Sequence, residues 1–258
     1  MFPLNHPFHD WSSRRVWIVG ASSGIGAALA AEALGAGASV AVSARSKVAL
    51  LAIAGAHKKA FAVQLDVLDE SAWTQAYQEV LDHFGGVDLL IFCAADYRPE
   101  RSWEVVPGMA NRMLSVNIGS IYAGLANVLP EMIVRGSGGI ALIASVAGYI
   151  GLPNASVYGP SKAALINLAE VLYNDLHPKG ISVYLVNPGF VHTRLTARND
   201  FHMPAILTAE QAAKKILKGI SCGHFEIHFP WRFTIFMKLA QLLPYRLRFA
   251  LIGQLVKT

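Results

Sequence analysis

From Arg15 to about Phe229 the chain repeats one pattern: a short apolar run, a break at glycine or a small polar residue, then a longer segment with helical spacing. The apolar runs are Val16–Gly20, Ser39–Ser43, Ala60–Leu65, Asp88–Cys93, Gly139–Ser145 and Ile181–Asn187, with a short seventh at Glu226–Phe229. Helices are predicted at Gly24–Leu34, Lys47–Gly55, Glu70–Phe84, Trp103–Leu129 and Ser156–Leu176. Runs without polar alternation imply strands buried on both faces, and hence a parallel sheet with crossover helices on each side. The expected architecture is one α/β domain with a doubly wound, mostly parallel sheet over residues 15–230. An N-terminal arm (1–14) precedes it. A C-terminal helical extension (231–258) follows, split by Pro244.

Composition narrows the class. Of 258 residues, 53% are hydrophobic and 15% charged, which excludes a disordered chain. Two cysteines, Cys93 and Cys222, cannot frame a disulfide scaffold and suit a reducing compartment. The net charge of +5 does not mark a nucleic-acid reader. All 17 acidic residues precede Phe229 alongside 17 basic ones, so the surplus is the tail's Arg232, Lys238, Arg246, Arg248 and Lys257. The uncharged stretch between Arg135 and Lys162 is long enough to span a bilayer, but six glycines and two prolines break it into strand and loop. The first residues lack the order of a signal peptide. A soluble cytoplasmic protein is expected.

Two motifs carry chemistry. The first strand runs into Gly20-Ala21-Ser22-Ser23-Gly24-Ile25-Gly26, which opens the first helix. Gly20 permits a tight turn, while Gly24 and Gly26 permit close approach of a pyrophosphate and of helix against sheet, at a helix end that favours anions. Further on, Tyr158 and Lys162 stand four apart, on one face of a helix. The ammonium is expected to lower the Tyr158 pKa. Ser145 closes the fifth strand and Asn117 lies in the preceding crossover helix.

Together, Gly20/Gly24/Gly26, Asn117, Ser145, Tyr158/Lys162 and the Asn187-Pro188-Gly189 turn resemble the short-chain dehydrogenase/reductase family over about Arg15–Phe229. The resemblance implies a Rossmann-type domain that moves hydride between a nicotinamide cofactor and an alcohol or carbonyl. It implies Tyr158 as general acid/base, Lys162 on the nicotinamide ribose, Ser145 on the substrate oxygen and Asn117 holding a water in a proton relay. Ser22, Ser23 and Ile25 of the glycine turn, Ala94, Pro188, Gly189, Val191 and Thr193 would line the cofactor. It also implies a homodimer or homotetramer formed through the helices at Trp103–Leu129 and Ser156–Leu176. The chain departs from the family where Phe92-Cys93-Ala94-Ala95 replaces the frequent Asn-Asn-Ala-Gly, and where Val19 replaces Thr.

The second strand ends Ser43-Ala44-Arg45-Ser46-Lys47, without the carboxylate that would bond the ribose hydroxyls of NAD. Arg45 could fork onto a 2′-phosphate, helped by Ser43 or Ser46, so NADP(H) is expected over NAD(H). The alternative for Arg45 is stacking on adenine. Asp66-Val67 either bounds the adenine pocket or caps a helix. Leu195, Phe201, Met203, Ile206 and Leu207, in the segment from Phe190 to about Leu207, would give the substrate an apolar cover. A hydrophobic ketone or secondary alcohol is the expected substrate, with lipid-derived compounds among the candidates. The tail mixes aromatics and leucines with Arg and Lys and holds no acid. It either docks on anionic lipid or packs on the body or a second subunit. His6/His9 and His224/His228 lack the partners of a metal site, and no metal is expected. The alternative function is a non-catalytic nucleotide-binding sensor or scaffold recruited to membranes.

Overall fold

The computed structural model describes residues 3–199, 203 and 205–255. Seven strands form one parallel sheet in the order β3-β2-β1-β4-β5-β6-β7. They are β1 (Arg15–Val19), β2 (Ser39–Ala44), β3 (Ala60–Gln64), β4 (Leu89–Phe92), β5 (Gly138–Ile143), β6 (Ile181–Pro188) and β7 (Glu226–Phe229). The helices are α1 (Gly24–Gly35), α2 (Lys47–Gly55), α3 (Glu70–Phe84), α4 (Pro107–Leu114), α5 (Ser120–Arg135), α6 (Tyr158–Leu176), α7 (Ala209–Ser221), α8 (Trp231–Gln241) and α9 (Tyr245–Leu255).

Successive strand residues point to opposite faces, and both faces are covered. Val16 and Ile18 enter a core with α1, α2 and α7, whereas Trp17 and Val19 enter a second core with α3, α5 and α6. The strands therefore read as unbroken apolar runs. The sheet order reverses between β1 and β4, which opens a crevice at their carboxyl ends.

Two elements differ from the sequence reading. The helix expected over Trp103–Leu129 begins at Pro107, which needs no N–H donor in a first turn, and it runs on to Arg135. Trp103 sits outside it in a short 3₁₀ turn. A π-helical turn over Ser115–Gly119 interrupts this helix at Asn117. By length and composition the span Pro107–Arg135 could cross a membrane, yet it is packed on the sheet with α3. The second difference is α7, an unpredicted crossover. Its signals were local: Thr208 and Gln211 form a reciprocal capping box, and Ala212, Ala213, Ile216, Leu217 and Ile220 make a buried stripe.

The arm and the extension are both fastened to the body. Asn5 trades two hydrogen bonds with the Val183 backbone of β6, and Phe8 and Trp11 are buried below α1 and α7. From α8 and α9, Met237, Ala240 and Ile252 pack on Val146, Tyr149 and Ile150 just after β5.

Candidate active site

The crevice is shaped first by glycine. Gly20 leaves β1 at φ +93°, and a Cβ there would meet the Ala94 nitrogen at 2.3 Å. A Cβ on Gly26 would meet the Gly20 carbonyl oxygen at 2.3 Å. Gly24, at φ +57°, faces the Thr193 side chain, 3.0 Å from where its own Cβ would be. Only glycine lets the start of α1, the end of β4 and the loop after β6 converge here. Ser23 makes no side-chain cap, so the first N–H groups of α1 are left to an anion.

A cavity of about 820 Å³ extends from this turn. Its wall holds Gly20, Ser22, Ser23, Gly24, Ile25 and Gly26, then Arg45, Ser46, Asp66 and Val67 toward β2 and β3, with Ala94 after β4. The other end holds Ser145, Tyr158, Lys162, Pro188, Gly189, Val191 and Thr193. A long cleft with an anion-binding helix end in its middle and a cationic residue at one end suits a dinucleotide.

Tyr158 is the first residue of α6 and Lys162 lies one turn on, so a single helix start delivers both. Ser145, at the end of β5, accepts the Ala147 N–H at 3.1 Å and stands with Tyr158 on the cavity wall. Tyr97 stands edge-on to Tyr158 with ring centroids 4.7 Å apart. Burial pushes the Tyr158 phenol up to about 12; Ser145 pulls against that shift and Tyr97 adds to it. Lys162 is pushed down to about 8 by burial. This corrects the expectation that Lys162 lowers the Tyr158 pKa. Its ammonium donates to the Ile143 carbonyl at 2.8 Å and lies 5.5 Å from the Tyr158 ring centre, so desolvation of the phenol prevails. At neutral pH Tyr158 is a neutral phenol, able to give a proton.

Asn117 stands behind the cavity wall, which its neighbour Val116 lines. Its amide accepts the Asp96 N–H at 2.7 Å and donates to the Asp96 carbonyl and Ser161 Oγ, each at 3.0 Å. The side chain thus ties the loop after β4 to α6.

Several finer expectations are corrected. Ser43 is buried and accepts the Trp17 indole N–H at 2.8 Å, so it is not available to a phosphate. Ser46 lines the cavity and caps α2. The cap of α3 is Asp69, not Asp66; Asp66 accepts the Leu68 N–H and lines the cavity. Of the expected apolar cover, Leu195 lines the cavity, Leu207 packs into the α1/α7 core, and the Met203 sulfur accepts from Asn199. Ile206 is not part of the wall, and Phe201 lies outside the described residues. The wall also includes Arg112 of α4, and Arg194 and Arg198 from the segment after β6, where the sequence reading looked only for apolar contacts. Among the described residues, no three His, Cys, Asp or Glu side chains group as metal ligands.

A doubly wound sheet with a glycine turn at its switch point defines a dinucleotide-binding oxidoreductase scaffold. The family profile described as short chain dehydrogenase matches residues 14–203. An uncharacterized oxidoreductase of Myxococcus xanthus is 32% identical over 243 residues, covering 91% of this chain and 94% of that protein. The 2-(R)-hydroxypropyl-CoM dehydrogenase of Xanthobacter autotrophicus is 33% identical, covering 71% of this chain and 77% of its own. In structure, a short chain dehydrogenase/reductase of Burkholderia phymatum, solved with NAD, superposes with a TM-score of 0.82 at 22% identity, covering 90% of this chain and 94% of that one. The chain belongs to the short-chain dehydrogenase/reductase family: it is an oxidoreductase with a nicotinamide-dinucleotide fold.

Proposed function

We propose that this enzyme reduces a hydrophobic ketone to the secondary alcohol at the expense of NADPH, with Tyr158 as general acid. The observation that carries the reading is the half-buried, neutral phenol of Tyr158, which stands with Ser145 on the wall of the dinucleotide cavity. A bound nicotinamide supplies the hydride. Ser145 and Tyr158 present two hydroxyl donors to the carbonyl oxygen, where negative charge develops, and Tyr158 passes it the phenolic proton. Lys162, charged below about pH 8, would hold the nicotinamide ribose beside Tyr158. Asn117 holds the Asp96 loop and Ser161 in register, where a relay water would be anchored.

Preference for NADPH is supported by Arg45, which lines the cavity beside the α2 start and is exposed, with no carboxylate at the end of β2. A carbonyl compound as substrate class agrees with the 3-oxoacyl-[acyl-carrier-protein] reductase of Aquifex aeolicus, 29% identical over 213 residues. Assembly as a homodimer or homotetramer is supported by an open apolar groove between α5 and α6, lined by Tyr122, Leu125, Leu129, Leu168 and Val171. The free cysteines Cys93 and Cys222 support a cytoplasmic location.

Peripheral contact with an anionic bilayer is supported by the outer face of α8 and α9. Trp231, Leu239, Leu242, Tyr245, Leu247 and Phe249 are exposed there, Leu242 by 81%. Among the described residues no carboxylate pairs with Arg232, Arg246 or Arg248. Arg248 is engaged by the Gln241 and Leu243 carbonyls, but an apolar face carrying Arg232 and Arg246 complements anionic lipid, whereas a second copy of the same face would bring like charges together.

The test is NADPH oxidation over hydrophobic ketones and 3-oxoacyl compounds, run beside Tyr158→Phe. Turnover by the native enzyme that falls roughly 10²–10⁴-fold in the variant, with NADPH binding retained, is expected. Equal turnover by the two proteins overturns the assignment.

A further inference from the structure

Away from the catalytic hydroxyls, one carboxylate collects three elements. Glu226 opens β7, and its Oε1 accepts the Tyr149 hydroxyl at 2.6 Å and the Asn187 amide at 2.9 Å. Its other oxygen is ion-paired to Lys238 of α8, whose ammonium also lies 5.6 Å from the Tyr149 ring centre. Each partner leads to a part of the cavity. Tyr149 ends the 3₁₀ turn Val146–Gly148 that Ser145 opens, its N–H bonding the Val146 carbonyl at 3.1 Å. Asn187 immediately precedes Pro188 and Gly189, both on the cavity wall. Lys238 belongs to the C-terminal extension, which also places Phe233 against Gly189 and Phe190.

Simple packing does not call for this cluster. The Asn187 carbonyl oxygen is buried without a hydrogen-bond partner, so Asn187 is kept in the core for what its NH₂ does, and the NH₂ bonds Glu226. The carboxylate stays ionised against the cost of burial, because Lys238, Tyr149 and Asn187 all favour the charged form. A half-buried charge with every oxygen engaged fixes the geometry of its donors.

We propose that Glu226 is a positioning residue, clamping the Ser145 turn and the Pro188–Gly189 loop to each other and to α8. The C-terminal helices are then part of the active-site frame. The inference rests on the reading of Ser145 as a group that bonds the substrate oxygen.

Three variants separate the parts. Tyr149→Phe removes only the tie to the Ser145 turn. Glu226→Gln keeps the shape and an acceptor oxygen but loses the charge. Glu226→Asp restores the charge on a shorter arm. For the ketone turned over best, kcat is expected to fall roughly tenfold in Tyr149→Phe and Glu226→Gln while KM moves less than about threefold, and Glu226→Asp is expected to recover part of the loss. Amide exchange in the cofactor-free protein should speed up at 145–149 and 187–190 in Glu226→Gln and stay unchanged in β1 and β4. A lower melting temperature with unchanged kcat, or unchanged exchange at both segments, overturns the proposal. If no ketone is reduced even by the native enzyme, the proposed function fails, and the exchange measurement still decides the clamp.

Discussion

Tyr158 and Lys162 are opposite cases of one effect: burial raises the acid that would become an anion and lowers the base that must stay a cation. For Lys162 the consequence is measurable without substrate. Its ordinary value of 10.5 applies in the unfolded chain and about 8 in the fold, so between those values unfolding takes up a proton and native stability rises with pH. Relative to Lys162→Met, the native protein is expected to gain roughly 1–3 kcal/mol between about pH 8 and about pH 10.5 in urea unfolding. A stability difference that stays flat with pH would count against the buried ammonium. Arg45 offers a second test at this scale. Arg45→Ala should weaken NADPH binding roughly 10–100-fold and leave NADH within about threefold, since only the 2′-phosphate forks with the guanidinium. Equal losses for both cofactors would instead make Arg45 an adenine-stacking residue.

Among the elements, α5 shows how closely the crossover helices approach the sheet. A Cβ on Gly124 would come within 2.7 Å of both the Phe92 ring of β4 and the Trp73 ring of α3. Trp73 and Phe92 are in turn packed together at 6.0 Å, with Trp17 5.8 Å from Trp73, so these rings cannot retreat cheaply. Gly124→Ala is expected to cost about 1–3 kcal/mol by thermal unfolding, although alanine is the better helix former. A stabilised variant would mean that the rings yield. The strands and most crossover helices were legible from their apolar spacing because strand burial and helix periodicity are written within a few residues. The π turn at Asn117 was not, since the extra residue answers to the Asp96 backbone and Ser161, which approach from other parts of the chain.

On the scale of the whole molecule, the extension has two faces: an inner one packed on the Ser145 turn, and an outer one that is apolar and basic. Removing it outright would strip Met237, Ala240 and Ile252 from their contacts, so the membrane reading is better tested on its outer surface. Leu242→Glu combined with Phe249→Glu should weaken binding to phosphatidylserine-containing vesicles roughly tenfold or more, with the melting temperature nearly unchanged. Vesicle binding as tight as that of the native protein would refute it. By itself the sequence determined the doubly wound parallel sheet, the glycine turn, and the sharing of one helix start by Tyr158 and Lys162. Each of these is set by short-range spacing or by burial of a continuous apolar run. Tertiary structure alone decided that Lys162 turns to the Ile143 carbonyl, that Trp17 occupies Ser43, that arginines line the cavity, and that Glu226 gathers Tyr149, Asn187 and Lys238. Those outcomes depend on which polar groups meet when distant elements close a low-dielectric space, where each buried group must find a partner or shift its proton.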